Sequence, residues 1–204
     1  MTRRYKLLKD LPGVKAGAIF HRYTNETETM QVDVLKRVDD QGILLPPSFG
    51  VSDIYNFDEW FEEIGQLTIN DIDWNFDPKP GDICHCVDNA GNIFSWTHDA
   101  EDEKAEVAMG NCFRIREEAE VYRQWLKAVA ELRRSNFNFK ADWEDTTEDR
   151  WHVYYDYENH SLSVTYNNHS RCQSLVYYGT RDDAVLSIEE HEESWLTYFG
   201  VGDK

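Results

Sequence analysis

One phrase occurs twice in this chain. At an offset of 65 residues, Phe113-Arg114-Ile115-Arg116-Glu117-Glu118-Ala119 lies over Tyr178-Gly179-Thr180-Arg181-Asp182-Asp183-Ala184. Each copy follows a short apolar run and opens a stretch with helical apolar spacing, so the fold must build the same strand-to-helix junction twice. Acid pairs at a helix start complement its dipole and open amides, which gives Glu117-Glu118 and Asp182-Asp183 a local purpose.

The residues before each junction read as a hairpin. In the first, the loop 88–92 sets Val87 against Ile93, Cys86 against Phe94 and Cys84 against Trp96, so Cys84, Cys86, Phe94 and Trp96 share an apolar face. A third strand near 109–113 leads into a helix over 116–134, with Tyr122, Trp125, Leu126, Val129 and Leu132 inward. In the second, strands 151–156 and 161–166 enclose the turn 157–160, and Trp151, Val153, Tyr155, Leu162, Val164 and Tyr166 share one side. A third strand, Ser174 to Tyr178, feeds a helix over 181–199 with Ala184, Ile188, Trp195 and Phe199 inward.

Upstream, short β-type runs from Tyr5 to Pro47, broken by Gly, Asn and Asp, predict a small twisted sheet or barrel; Gly13 and Gly17 read as turn residues rather than a phosphate loop. Residues 51–80 differ in character. Asp53, Asp58, Glu59, Glu62, Glu63, Asp71, Asp73 and Asp77 face a single Lys79 and alternate with Tyr55, Phe57, Trp60, Phe61, Trp74 and Phe76. Rings are costly to leave in water, so this segment docks on its own protein or on another. The expected class is α+β: a small N-terminal β module (1–50), an acidic aromatic connecting segment (51–80), and two repeated units of a three-stranded antiparallel sheet plus a helix (81–135 and 149–204).

The formal net charge is −18, from 39 acidic against 21 basic residues. Such a field repels phosphate backbones and anionic lipid and attracts basic partners, besides aiding solubility. The four cysteines (Cys84, Cys86, Cys112, Cys172) are too few and too irregular for a disulfide framework. No stretch approaches the roughly 20 apolar residues of a membrane helix, and residues 1–13 lack a signal peptide's apolar core. The expected location is the cytoplasm of a bacterial host, with no membrane partner.

The sheet-plus-helix unit, with its junction phrase aromatic-x-Ile/Thr-Arg-acid-acid-Ala, resembles the AP2-like arm-binding domain of phage integrases over about 50 residues per copy. That family reads DNA with its sheet, which requires Lys or Arg on the open face. Neither residue occurs in 81–99 or in 151–166. The whole chain, from Tyr5-Lys6-Leu7-Leu8-Lys9 through Asp58-Glu59-Trp60-Phe61 to Trp195-Leu196-Thr197-Tyr198-Phe199, is similar to a loose class of bacteriophage and prophage accessory proteins of unassigned activity. That likeness implies a mobile-element origin and carries no catalytic residue.

Chemistry is thinly marked. Cys84-x-Cys86 with His85 and His98 is the best metal-ligand set, but strand alternation sends His85 to the face opposite the cysteines, so no tetrahedral site and no cofactor are expected. His21, His152, His160, His169 and His191 stand in no nucleophile or metalloprotease motif. The expected function is therefore non-enzymatic: an acidic protein-interaction module, in its sharper form an inhibitor that offers carboxylates where a host nucleic-acid-handling defence complex expects phosphates. The expected partner is a basic host surface, with no direct nucleic-acid contact. The expected binding residues are Asp53, Asp58, Glu59, Trp60, Glu62, Glu63, Asp71, Asp73, Trp74 and Asp77, the two tryptophans as anchors. The alternatives are a nucleic-acid-binding accessory factor with an integrase-arm-like unit, and a small hydrolase.

Overall fold

In a computed structural model, residues 3–26, 31–38, 44–51, 54, 56–99, 107, 109–168 and 174–201 are described, without side chains at 23–26, 31–34, 38 and 44–48. The chain is α+β and divides into two compact units, Met1–Tyr122 and Arg123–Val201.

In the first unit, β1 (Arg3–Leu7), β2 (Ile19–Glu26), β3 (Gln31–Val38) and β4 (Leu44–Gly50) form an antiparallel sheet that gains a fifth strand from farther along the chain. A single helical turn, α1 (Phe57–Trp60), leads into β5 (Phe61–Gln66), and the strand order is β4-β3-β2-β1-β5. The alternating apolar residues Tyr5, Leu7, Phe20 and Leu35 point to one face and are buried there with Phe61; Phe57 and Trp60 pack onto the same cluster. Part of the acidic aromatic stretch thus docks on its own protein: Phe57 stacks on Phe61 at 5.1 Å and meets Tyr5 edge-on at 5.2 Å.

The first hairpin, β6 (Ile83–Val87) and β7 (Ile93–Thr97), has the predicted register, Cys84 opposite Trp96 and Cys86 opposite Phe94. β8 (Cys112–Phe113) adds to β6, giving the order β7-β6-β8. Both faces of this sheet are covered. Val87 and Phe113 pack with Ile72 and with Ala119 of the helix α2 (Arg116–Arg134), while Cys84, Cys86 and Cys112 pack with Phe76, Trp96 and Val107. The helix lies on the face opposite the cysteines, which are buried thiols.

The second unit holds the end of α2, the hairpin β9 (Arg150–Asp156) and β10 (Ser161–Asn167), and α3 (Arg181–Phe199). Its register pairs Trp151 with Tyr166 and Val153 with Val164, and Val153, Tyr178, Ala184, Trp195 and Leu132 are buried together. Of the predicted inner face of α2, Leu126 is exposed, while Val129 and Leu132 are buried.

The predicted repeat holds in order of elements but not as a clean duplication. In both copies the phrase's aromatic residue pairs with the first strand of the hairpin: Phe113 with His85, and Tyr178 with Trp151. In the second copy that pairing is one isolated bridge, so the sheet has two strands rather than three. The residues just before it take side-chain partners instead. Ser174 Oγ donates to the Val176 carbonyl at 2.8 Å, and the Tyr177 ring sits edge-on to Trp143 at 5.1 Å.

The junction chemistry also diverges at one position. Thr180 caps α3 by accepting from the Asp183 amide at 3.1 Å, worth about 1 kcal/mol. Ile115 has no oxygen to offer there. The buried Glu118, aligned with Asp183, instead accepts from the Ile115 amide at 3.4 Å and from the Asp73 amide at 3.2 Å. Burial pushes the Glu118 carboxyl up despite these bonds.

Candidate functional site

Of the sequence-predicted binding residues, Asp53 lies outside the described residues. Asp58 and Glu59 are exposed on α1, and Glu62 and Glu63 are exposed on β5, an edge strand where charge discourages further strand pairing. Most of the carboxylates already face a cation of their own chain: Glu59 with Lys9 at 3.4 Å, Glu63 with Arg3 at 3.4 Å, Asp71 with Arg4 at 3.4 Å, Asp73 with Arg114 at 3.6 Å, and Asp77 with Lys79. Asp71 also closes a capping box with Thr68. Trp60 is half-buried with Lys9 Nζ 5.2 Å from its ring centroid. Trp74 is 54% exposed, although its ring meets Phe113 and Tyr122 edge-on. The segment therefore does not form one carboxylate surface; its acids are spread over a helical turn, an edge strand and two loops.

Asp58 and Glu62 form no ion pair with a described Lys or Arg, and a denser unmatched group lies elsewhere. Glu189, Glu190, Glu192 and Glu193 are exposed on α3, and none forms an ion pair with a described Lys or Arg. Between them the helix departs from regular geometry at His191 (φ −133°, ψ 32°). Glu131 of α2 holds this point: it accepts from Ser194 Oγ at 2.9 Å and lies 2.7 Å from His191 Nδ1. These contacts keep the Glu131 carboxyl below the ordinary carboxylate range. The signal for this stretch was the run Glu-Glu-His-Glu-Glu, which helical periodicity alone assigns to an outer face.

A second feature is a cleft of about 670 Å³ in the first unit. Its wall is the loop 13–18 with Ile19 at the start of β2, and Ile115, Arg37 of β3 and His21 of β2 complete it. Gly13 and Gly17 take φ of +78° and +92°, which other residues adopt only under strain. The loop is fixed by its own bonds: the Gly17 amide donates to the Leu7 carbonyl at 2.7 Å, the Ala16 amide to Asp10 Oδ1 at 2.8 Å, and Lys15 Nζ pairs with Asp10 at 2.6 Å. His21 is buried where its strand neighbours are Arg4 and Lys36.

Burial holds three imidazoles below their ordinary pKa. At His21 desolvation is the main cause, opposed by the Glu117 charge and assisted by Arg4; at His85 it is again desolvation, opposed by Glu117; at His152 desolvation acts against a backbone bond. His152 is half-buried with its ring 5.9 Å from that of Tyr177. A base whose folded pKa is depressed stabilises the fold above its unfolded pKa, near 6.5, and that contribution is lost as pH falls through the folded value. Melting temperature is expected to drop between about pH 7.5 and about pH 5.5, and His152→Gln should flatten part of the slope. A profile flat over this window in both proteins contradicts the burial of neutral imidazoles.

His85 and the cysteines do lie on opposite faces of β6; His85 Nδ1 is 2.8 Å from Ser95 Oγ, Trp96 Nε1 donates to Cys86 Sγ at 3.1 Å, and the His98 ring lies 5.4 Å from that of Trp96. Cys172 lies outside the described residues. Among the described residues no group of three or more His, Cys, Asp or Glu is placed to hold a metal ion, and no helix is long and apolar enough to cross a membrane. No protein-family model, curated protein or solved structure matches the chain.

Proposed function

We propose that the protein is a non-catalytic interaction module that presents carboxylates to a basic partner. The observation that carries this reading is the exposed group Glu189, Glu190, Glu192 and Glu193 on α3, unmatched by described cations in a chain of net charge −18. In the acidic aromatic segment five carboxylates already face in-chain cations, so those pairs must break or be shared before a partner gains them. Phosphate mimicry against a host nucleic-acid-handling complex is the sharper form of the same reading, and α3 is its better-supported surface. The shared order of strands and helix supports reading the two sheet-plus-helix stretches as diverged copies of one unit. Direct nucleic-acid binding has less support, because neither hairpin carries a Lys or Arg between 81 and 99 or between 151 and 166.

Two charge-reversed variants separate the surfaces: Glu189, Glu190, Glu192 and Glu193 to Lys in one, and Asp58, Glu59, Glu62 and Glu63 to Lys in the other. Affinity capture from a bacterial lysate identifies the partner, and association kinetics with that purified partner are then measured for each variant. The α3 variant is expected to associate about tenfold or more slowly, and raised salt should slow the wild type in the same sense. Unchanged capture and kinetics in both variants, each shown folded by thermal melt, would remove the proposal.

A further inference from the structure

We infer that the cleft walled by residues 13–19 is a binding site for a small organic anion, with Arg37 receiving the anionic head. Among the described residues the cleft is lined by two cationic side chains, Lys15 and Arg37, and by no carboxylate, in a chain where acids outnumber Lys and Arg 39 to 21. The two cations are not equivalent. Lys15 is held by Asp10 at 2.6 Å and is largely exposed, whereas half-buried Arg37 forms no ion pair with a described carboxylate. Other arginines of this unit are matched: Arg3 to Glu63, Arg4 to Asp71, Arg114 to Asp73 and Arg116 to Glu120. A guanidinium offers a planar fork of donors that suits a carboxylate or phosphate, and a partly desolvated one is strengthened by taking such a ligand.

The rest of the cleft sets the ligand's size and polarity. About 670 Å³ falls within the range of sites for small organic molecules and far exceeds the volume of a lone oxyanion. Val14, Ala18, Ile19 and Ile115 give it apolar wall. The amides of Val14, Ala16, Gly17 and Ala18 are already bonded within the chain, so the loop is a rigid wall and not a phosphate cradle. The ligand class is then a compact apolar body bearing one carboxylate or phosphate. The inference is independent of the acidic surface on α3.

The test uses the full chain with phenyl phosphate and benzoate as probes, benzyl alcohol as an uncharged control and inorganic phosphate as a bodiless one. Titration followed by amide NMR is expected to show at least one of the two organic anions binding, with shifts concentrated at residues 13–19 and 37; their relative affinity distinguishes a phosphate from a carboxylate head. Both controls should bind at least about tenfold more weakly, since each lacks one half of the recognition. Arg37→Gln should weaken the preferred anion about tenfold or more, and Arg37→Lys should recover part of it. Failure of both anions to bind, equal affinity in Arg37→Gln, or shifts centred away from the loop would each overturn the inference. Each variant's amide spectrum shows directly whether it is folded.

Discussion

Replacing Trp195 by alanine is expected to cost the second unit about 3 to 5 kcal/mol, the range for truncating a large buried ring. The side chain has no exposed surface and is the largest fully buried one among the described residues. Its ring stacks on Phe199 at 5.8 Å and meets Tyr198 edge-on at 5.9 Å. It also ends a buried polar network. Trp195 Nε1 donates to Ser187 Oγ at 3.2 Å, Tyr178 OH lies 2.6 Å from the same oxygen, and Ser135 Oγ lies 2.9 Å from Tyr178 OH and donates to the Leu132 carbonyl at 2.8 Å. The alanine variant therefore loses ring burial and leaves Ser187 short of a donor in a place water does not reach. Trp195→Phe separates the two losses: it keeps most of the ring and removes the N–H, so about 1 kcal/mol is expected. Urea unfolding followed by far-UV circular dichroism measures both. A loss below about 1 kcal/mol for the alanine variant contradicts the packing described for this core.

This network marks the limit of what periodicity makes legible. Apolar spacing identified both long helices and both hairpin registers, because a register slip would turn every side chain to the other face. It also placed Ala184 and Trp195 inward. It passed over Ser135 and Ser187, whose small polar side chains read as surface until Tyr178 and Trp195 arrive from elsewhere in the sequence. The same limit applies to Phe61, which begins a strand of the first sheet opposite Leu7, 54 positions earlier in the chain (61 minus 7). Strand pairing across such a distance leaves no periodic trace; the six rings of 51–80 signalled docking but not where. The candidate sites divide in the same way. The acidic stretch on α3 is contiguous in sequence and was legible in principle, whereas the cleft assembles Ile115, Arg37 and residues 13–19 from three separate segments.

The second large effect is expected at Arg150, a guanidinium 2% exposed at the start of β9. Its Nη1 donates to the carbonyls of Glu148 at 3.1 Å and Asn168 at 3.2 Å, and its Nη2 to the carbonyls of Asp145 at 2.5 Å and Asp142. Glu148 supplies a carboxylate at 3.4 Å and the Trp143 ring lies 4.7 Å from the guanidinium carbon. Replacing a buried ion by an apolar side chain is often neutral when its counter-ion goes too. Here the partners are mostly backbone carbonyls, which no substitution at 150 removes. Arg150→Met keeps the stem's bulk and leaves four carbonyls without their donor, so a loss of about 3 kcal/mol or more is expected. Arg150→Lys retains the charge but not the fork; one ammonium cannot span carbonyls contributed by both ends of the segment, and less than half the loss should be recovered. Because the donors tie residues 142–148 to β9, the loss should be local first, with new protease cleavage between 140 and 149 below the temperature at which the α3 core melts. Denaturant unfolding gives the magnitude and timed proteolysis gives the place: wild-type resistance in Arg150→Met, or full rescue by lysine, would show that the guanidinium geometry does not hold this loop.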